Sequence, residues 1–277
     1  MFRTLSFILI SQVLTSFAYA GEIDTKKLFL KPVMNDFRAV EDSLCFENNG
    51  FMESAGRNPY LKILASVADK EGSCQGMVAV ASAVKTKVTF RPERPKMSPS
   101  KIKTQVRRSV YLHKNNCSAK VFIDGYSNLR ELCEANQDNE FTLRRRSLQY
   151  NLSLAIKEIL PESRTFFLEG QLEDKAKSSK HILKELQSFY NDLLKGEYPL
   201  MLVRTHVTLV TGMSVERDLE GHVSRVTLHH YDPNIIMSSQ NDIYDRSYDF
   251  SKDGKSIDGQ LIWNISPRST KIGCLFK

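Results

Sequence analysis

The sequence predicts an α+β protein, with helices in its first half and an antiparallel sheet in its second. Three observations carry that expectation. The run from Cys74 to Val84 is built of small apolar residues and is apolar on almost every face, the mark of a helix buried on all sides. From about Asp174 to Lys195, the residues Ile182, Leu183, Leu186, Phe189, Tyr190, Leu193 and Leu194 form one broad stripe, and Gly196 is placed to stop the helix. Beyond Tyr198 the period changes to β-branched alternation, over 200–211 and 223–231, joined by a polar segment containing Gly221. Helices first and a hairpin-rich sheet second is the α+β order.

The remaining elements fall around these. Residues 1–20 have Arg3 at a positive start, a mostly apolar stretch from Leu5 to Leu14 and the small-x-small end Ala18-Tyr19-Ala20, which predicts a secretory signal peptide cut after Ala20. The expected location is therefore secreted or periplasmic, where disulfides form. Residues 21–59 mix turn formers with short apolar runs and predict an irregular entry segment or propeptide-like region. Helices are expected over 60–68, from Leu61, Ile63, Leu64 and Val67, and over 142–159, and a further strand over 261–265 carries Trp263. A single domain from 60 to 277 follows, with a helical lobe 60–197 and a β lobe 198–277. No stretch after the leader is apolar enough to span a membrane.

Composition narrows the class further. The 277 residues are 41% hydrophobic, with 39 Lys and Arg against 32 Asp and Glu, for a net charge of +7. That apolar fraction and mixed charge exclude a disordered chain, and 13 Gly with 9 Pro exclude a fibrous one. The excess charge is concentrated. Lys85, Lys87, Arg91, Arg94, Lys96, Lys101, Lys103, Arg107, Arg108 and Lys114 face one acid, Glu93. With prolines at 92, 95 and 99, the segment 85–114 is expected to be a mobile basic loop, with an anionic polymer or surface as its candidate partner.

The chemistry-bearing residues converge on one thiol. Cys74 opens the buried helix, where the unpaired N–H groups of the first turn favour thiolate over thiol. His206 lies on the first predicted strand, and Asp232 directly follows the second. A hairpin folded about residue 218 or 219 brings His206 opposite residues 230 to 232, so a carboxylate can hold one imidazole nitrogen and leave the other facing the thiol. Those three types are what nucleophilic attack on a carbonyl requires. His113, His181, His222, His229 and His230 show no metal-ligand spacing, so no metal and no cofactor is expected.

Gly72-Ser73-Cys74 at the head of a helix, a histidine about 130 residues later on a strand and an Asp or Asn beyond it resemble the papain-like cysteine peptidases. The likeness is closer to bacterial secreted papain-fold proteins that carry Gly-x-Cys-x-Gly-Met, His-x-x-Leu-Val-x-Gly and Tyr-Asp-Pro-Asn. Here these are Gly72 to Met77, His206 to Gly212 and Tyr231 to Asn234. The resemblance implies a helical lobe packed on an antiparallel lobe, and a peptidase acting on peptide or protein through Cys74 as nucleophile, His206 as base and acid, and Asp232 or Asn234 as orienter. It also implies an oxyanion glutamine six residues before the cysteine, where this chain has Ala68. Gln75 and Asn58 are the candidate replacements. A transferase or deamidase on the same triad, and a catalytically silent binding protein whose basic segment docks an anionic surface, are the alternatives.

The other four cysteines are expected to pair as Cys117–Cys133, around a short polar segment, and Cys45–Cys274, tying the chain ends together. That pairing, one of three open to the four, leaves Cys74 as the odd one of five.

Overall fold

The structure, a computed structural model, describes residues 24–46, 74–115, 117–135, 175–203, 206–239 and 242–266. The expected leader, the helices at 60–68 and 142–159, and Gly72, Ser73, Ala68, Asn58 and Cys274 lie outside the described residues. In chain order the elements are β1 (Val33–Met34), α1 (Cys74–Lys87), β2 (Val88–Arg91), α2 (Pro99–Lys114), β3 (Val121–Asp124), α3 (Leu129–Glu134) and α4 (Lys175–Leu194). There follow β4 (Leu200–Val203), β5 (His206–Arg217), β6 (Val223–Tyr231), β7 (Tyr244–Phe250), β8 (Ile257–Asp258) and β9 (Trp263–Asn264).

The fold is α+β. An antiparallel sheet runs in the order β8-β7-β6-β5-β4-β9, with β1 added against β5. Each of its faces carries a packed core over part of its area, and the strand period shows how. Leu200, Leu202, Val207, Leu209 and Tyr231 join the core built around α1. The alternate residues Met201, Val203, Val210, Met213, Val226 and Leu228 join the core under α4, with Ile182, Leu186, Phe189 and Leu193 of that helix. α1 is buried all round, as its composition predicts: Met77 through Ala81 have no exposed surface. α4 ends at Leu194, and Gly196 takes the left-handed φ of 72° that a helix stop requires, its N–H bonding to Leu193 O at 2.9 Å.

Four features differ from the sequence expectation. The apolar run 200–211 is two strands, because Leu200–Val203 pairs antiparallel with 206–209, Val203 opposite His206; the buried residues on both strands hide the reversal. β7 has no sequence signal, since only Tyr248 and Phe250 of its seven residues are buried. The helical half holds a small parallel sheet, with Val88↔Val121 through Arg91↔Asp124 in register. The helix α2 forms its crossover, so the basic segment 85–114 is ordered structure, not a loop. Ile102, Val106 and Leu112 supply the buried stripe that anchors α2, and Pro99 sits at its first turn where a missing N–H costs nothing. Finally, residues 24–46 are built into the body, through β1 and through the core residues Phe29, Phe37, Leu44 and Phe46.

The disulfide pairing is also corrected. Cys45 is bonded to Cys133, with their Cα atoms 5.7 Å apart, and Cys74 is in no disulfide. Cys117 is disulfide-bonded, but not to Cys133. The reason is topological. β3 carries the chain away from Cys117, and α3 then docks on the segment 41–46, where Arg130 N donates to Glu41 O at 3.0 Å and Arg130 Nη1 to Leu44 O at 3.2 Å. Cys133, one turn further along α3, therefore meets Cys45.

Candidate active site

Cys74 is the first residue of α1 and His206 the first of β5, and the packing of that helix on the sheet brings them together. Cys74 is 3% exposed, and its Sγ accepts the backbone N–H of Val207 at 3.3 Å. That donor stabilises negative charge on sulfur and adds to the N–H groups of the helix start. His206 hydrogen-bonds Cys74 on one side. On the other, His206 Nε2 lies 2.9 Å from Asp232 Oδ1.

The β5–β6 hairpin positions Asp232. Its ladder pairs Leu209 with Tyr231, is bulged between Val210 and Gly212, and turns at 218–222, so its centre falls slightly later than residues 218 and 219. Asp232 reaches the ring from just past the strand, at the Asp-Pro-Asn corner. There Asn234 N donates to Asp232 Oδ1 at 2.9 Å. Buried Tyr231 stacks on Phe37 with ring centroids 5.4 Å apart, and Arg130 donates to the carbonyls of Leu44 and Met237, which fastens the chain on both sides of the corner.

These contacts fix the tautomer. An ionised carboxylate only accepts, so the proton between Asp232 and His206 belongs to Nε2, and Nδ1 of the neutral ring is left as acceptor for the thiol proton. Burial alone lowers the His206 pKa, but the bonds to Asp232 and Cys74 outweigh it and raise it to about 9. Burial likewise raises Asp232, while the bond from His206 and the Asn234 N–H hold it below its ordinary value. At neutral pH the His206 ring therefore keeps its proton beside the Cys74 side chain.

Asn234 has a different place from the one a spare orienter would take. Its Nδ2 is 3.5 Å from His206 Nδ1, whereas Asp232 holds Nε2. Gln75 lies in the first turn of α1, its side chain outside the described residues. Sequence reasoning missed two contributors. The Val207 N–H belongs to the backbone and has no residue signature. His230, 5% exposed, lies in the field of Asp232, His206 and Arg246; burial first, then the Arg246 charge, lower its pKa to about 4 and keep it neutral.

A second polar array spans the open part of the sheet. Ser214 Oγ is 2.5 Å from His229 Nε2, and His229 Nδ1 is 2.6 Å from Asp245 Oδ1. It continues into Thr227–Ser247 and Arg225–Asp249, at 3.0 and 2.7 Å, as a cross-strand ladder. Asp245 is 61% exposed and the ladder lies on a flat face rather than in a water-excluding cleft, so we assign it to sheet pairing.

Among the described residues no group of three His, Cys, Asp or Glu side chains is placed to hold a metal ion, and no helix is long and apolar enough to cross a membrane. Comparison of the chain with models of protein families, with curated proteins and with solved structures finds no match.

Proposed function

We propose that the protein is a papain-like cysteine hydrolase, a peptidase in the simplest case, with Cys74 as nucleophile, His206 as base and acid, and Asp232 as orienter. The observation that carries this reading is that one imidazole is hydrogen-bonded both to the Asp232 carboxylate, through Nε2 at 2.9 Å, and to the Cys74 side chain. The helix-first, sheet-second order and the three short motifs support it. The leader-like residues 1–20 and the disulfide between Cys45 and Cys133 support a secreted or periplasmic location.

In the reaction, the Cys74 thiolate attacks the substrate carbonyl carbon, forming a carbon–sulfur bond and placing negative charge on oxygen. The N–H of Cys74, at the N-terminal end of α1, is the backbone donor assigned to that oxyanion. Collapse breaks the carbon–nitrogen bond, and His206 gives its proton to the leaving amine. Water, deprotonated by His206, then cleaves the thioester, which releases the acid and restores the thiol. No cofactor enters. A transferase or deamidase differs only in the acceptor that resolves the thioester or in the amine that leaves.

The test is covalent labelling followed by an activity screen. A peptidyl electrophile directed at thiols should modify Cys74 in the native protein, and Cys74→Ala should abolish both labelling and hydrolysis of a casein or peptide-library substrate. Hydrolysis that survives Cys74→Ala would rule the reading out.

A further inference from the structure

We propose that the outward face of α2 docks on the headgroup surface of a bilayer rich in anionic lipid. This goes beyond the hydrolase reading and does not depend on it. Ordering of the basic segment sorts seven of its ten cations into two groups. Lys85, Lys87 and Arg91 are spent inside the fold: Lys85 bonds Asp42 at 2.7 Å, Lys87 donates to Cys117 O at 2.7 Å, and Arg91 pairs with Asp124 at 2.5 Å. Lys101, Lys103, Arg107 and Arg108 instead project from α2 and are exposed, and among the described residues none has a carboxylate partner.

Their placement works against the helix that carries them. α2 contains no acid, Lys101 and Lys103 stand in its first turns where the dipole disfavours cations, and Lys103 and Arg107 are a like-charged i,i+4 pair. An external anion relieves all three penalties. At 3.6 residues per turn, Lys103 and Arg107 line one edge of the exposed face and Lys101 and Arg108 the other, with Ser100, Thr104 and Tyr111 between them.

That breadth selects the partner. Two edges of charge with hydroxyls between them meet a plane of phosphates, and Tyr111, 42% exposed among the cations, is a residue suited to the headgroup level. A single nucleic-acid strand calls for a row of stacking aromatics, which the face lacks. The docked face also leaves the thiol clear. His113 of α2 meets α1 at Ser82 and Thr86, the half of that helix away from Cys74.

The experiment is co-sedimentation of the full mature chain with vesicles of phosphatidylcholine, with and without about one-third phosphatidylglycerol. The expected result is binding to the anionic vesicles alone, release by about 0.5 M sodium chloride, and at least about tenfold weaker binding for K101E/K103E/R107E/R108E. The same four positions changed to Gln should also weaken binding, and unchanged Cys74 labelling in either variant shows that the body is intact. Equal binding to neutral vesicles, or wild-type binding by the folded variants, overturns the proposal. Tighter retention on duplex DNA than on the vesicles at equal phosphate overturns the lipid assignment and makes nucleic acid the partner.

Discussion

Asp232 Oδ1 stands 2.9 Å from Nε2 of His206 and accepts the N–H of Asn234 at 2.9 Å as well, so one carboxylate oxygen holds both the ring and its own corner in place. Two consequences follow for the thiol. The ring is locked in the tautomer that presents an acceptor to Cys74, and its pKa is raised to about 9.

Asp232→Asn should therefore move the alkaline limb of Cys74 alkylation to lower pH and slow the reaction at neutral pH by about tenfold or more. Stopped-flow alkylation as a function of pH reads both. Asn234→Ala should leave the position of that limb nearly unchanged, because Asp232 and Cys74, not Asn234, raise the His206 pKa.

His113 and His230 should make the protein acid-sensitive. Both rings are held neutral in the fold, with pKa values lowered to about 4 mainly by burial, against about 6.5 in the unfolded chain. The unfolded state binds more protons between these values, so their stabilisation is complete above about pH 6.5 and is lost as pH falls through about 4. His206 has the opposite sign: its pKa is raised, so its stabilisation is complete below about pH 6.5 and fades as pH rises through about 9. Urea denaturation at pH 4.5, 6.5 and 9.5 should give the greatest stability at the middle value. His113→Gln should flatten the acid side.

Reducing the Cys45–Cys133 bond, or replacing either cysteine with Ser, should cost about 2 to 5 kcal/mol in a denaturant melt. It should also slow Cys74 labelling, because α3 carries Arg130, which fastens the chain on both sides of the Asp232 corner.

Gly125→Ala should destabilise by about 3 kcal/mol, from left-handed backbone strain together with a steric clash. Its φ is 81°, and a β-carbon there would lie 2.4 Å from the Lys96 Cα, a backbone atom that cannot swing away. The effect belongs on the thermal midpoint, with the alkylation rate of the surviving folded protein unchanged.

The legible parts of the sequence were those with a strong period or a local motif. The uniformly apolar Cys74–Val84 run, the stripe of α4 with its Gly196 stop, and the alternation of β6 all fold as their patterns dictate, because burial follows period directly. The β4–β5 hairpin was hidden because Leu200–Val203 is buried on both faces and leaves no alternation to mark its end. α2 was hidden by its prolines and charges, which read as loop until Ile102, Val106 and Leu112 are counted at helical spacing. The cysteine pairing depended on where β3 carries the chain, a tertiary fact with no local trace. Within the site, Cys74, His206 and Asp232 were legible from order and residue type. The Val207 N–H and the placement of Asn234 toward Nδ1 arise only from the packing of α1 on β5.

The most direct test of the account is the rate of iodoacetamide alkylation of Cys74 from pH 4 to 11, in the wild type and in His206→Ala. A Cys74 side chain activated by His206 predicts rapid labelling at neutral pH, an inflection near pH 9 as the ring loses its proton, and a fall of about a hundredfold at pH 6 in His206→Ala. A single rise with an ordinary thiol pKa of about 8.5, the same in both proteins, would contradict the pairing on which the proposed chemistry rests.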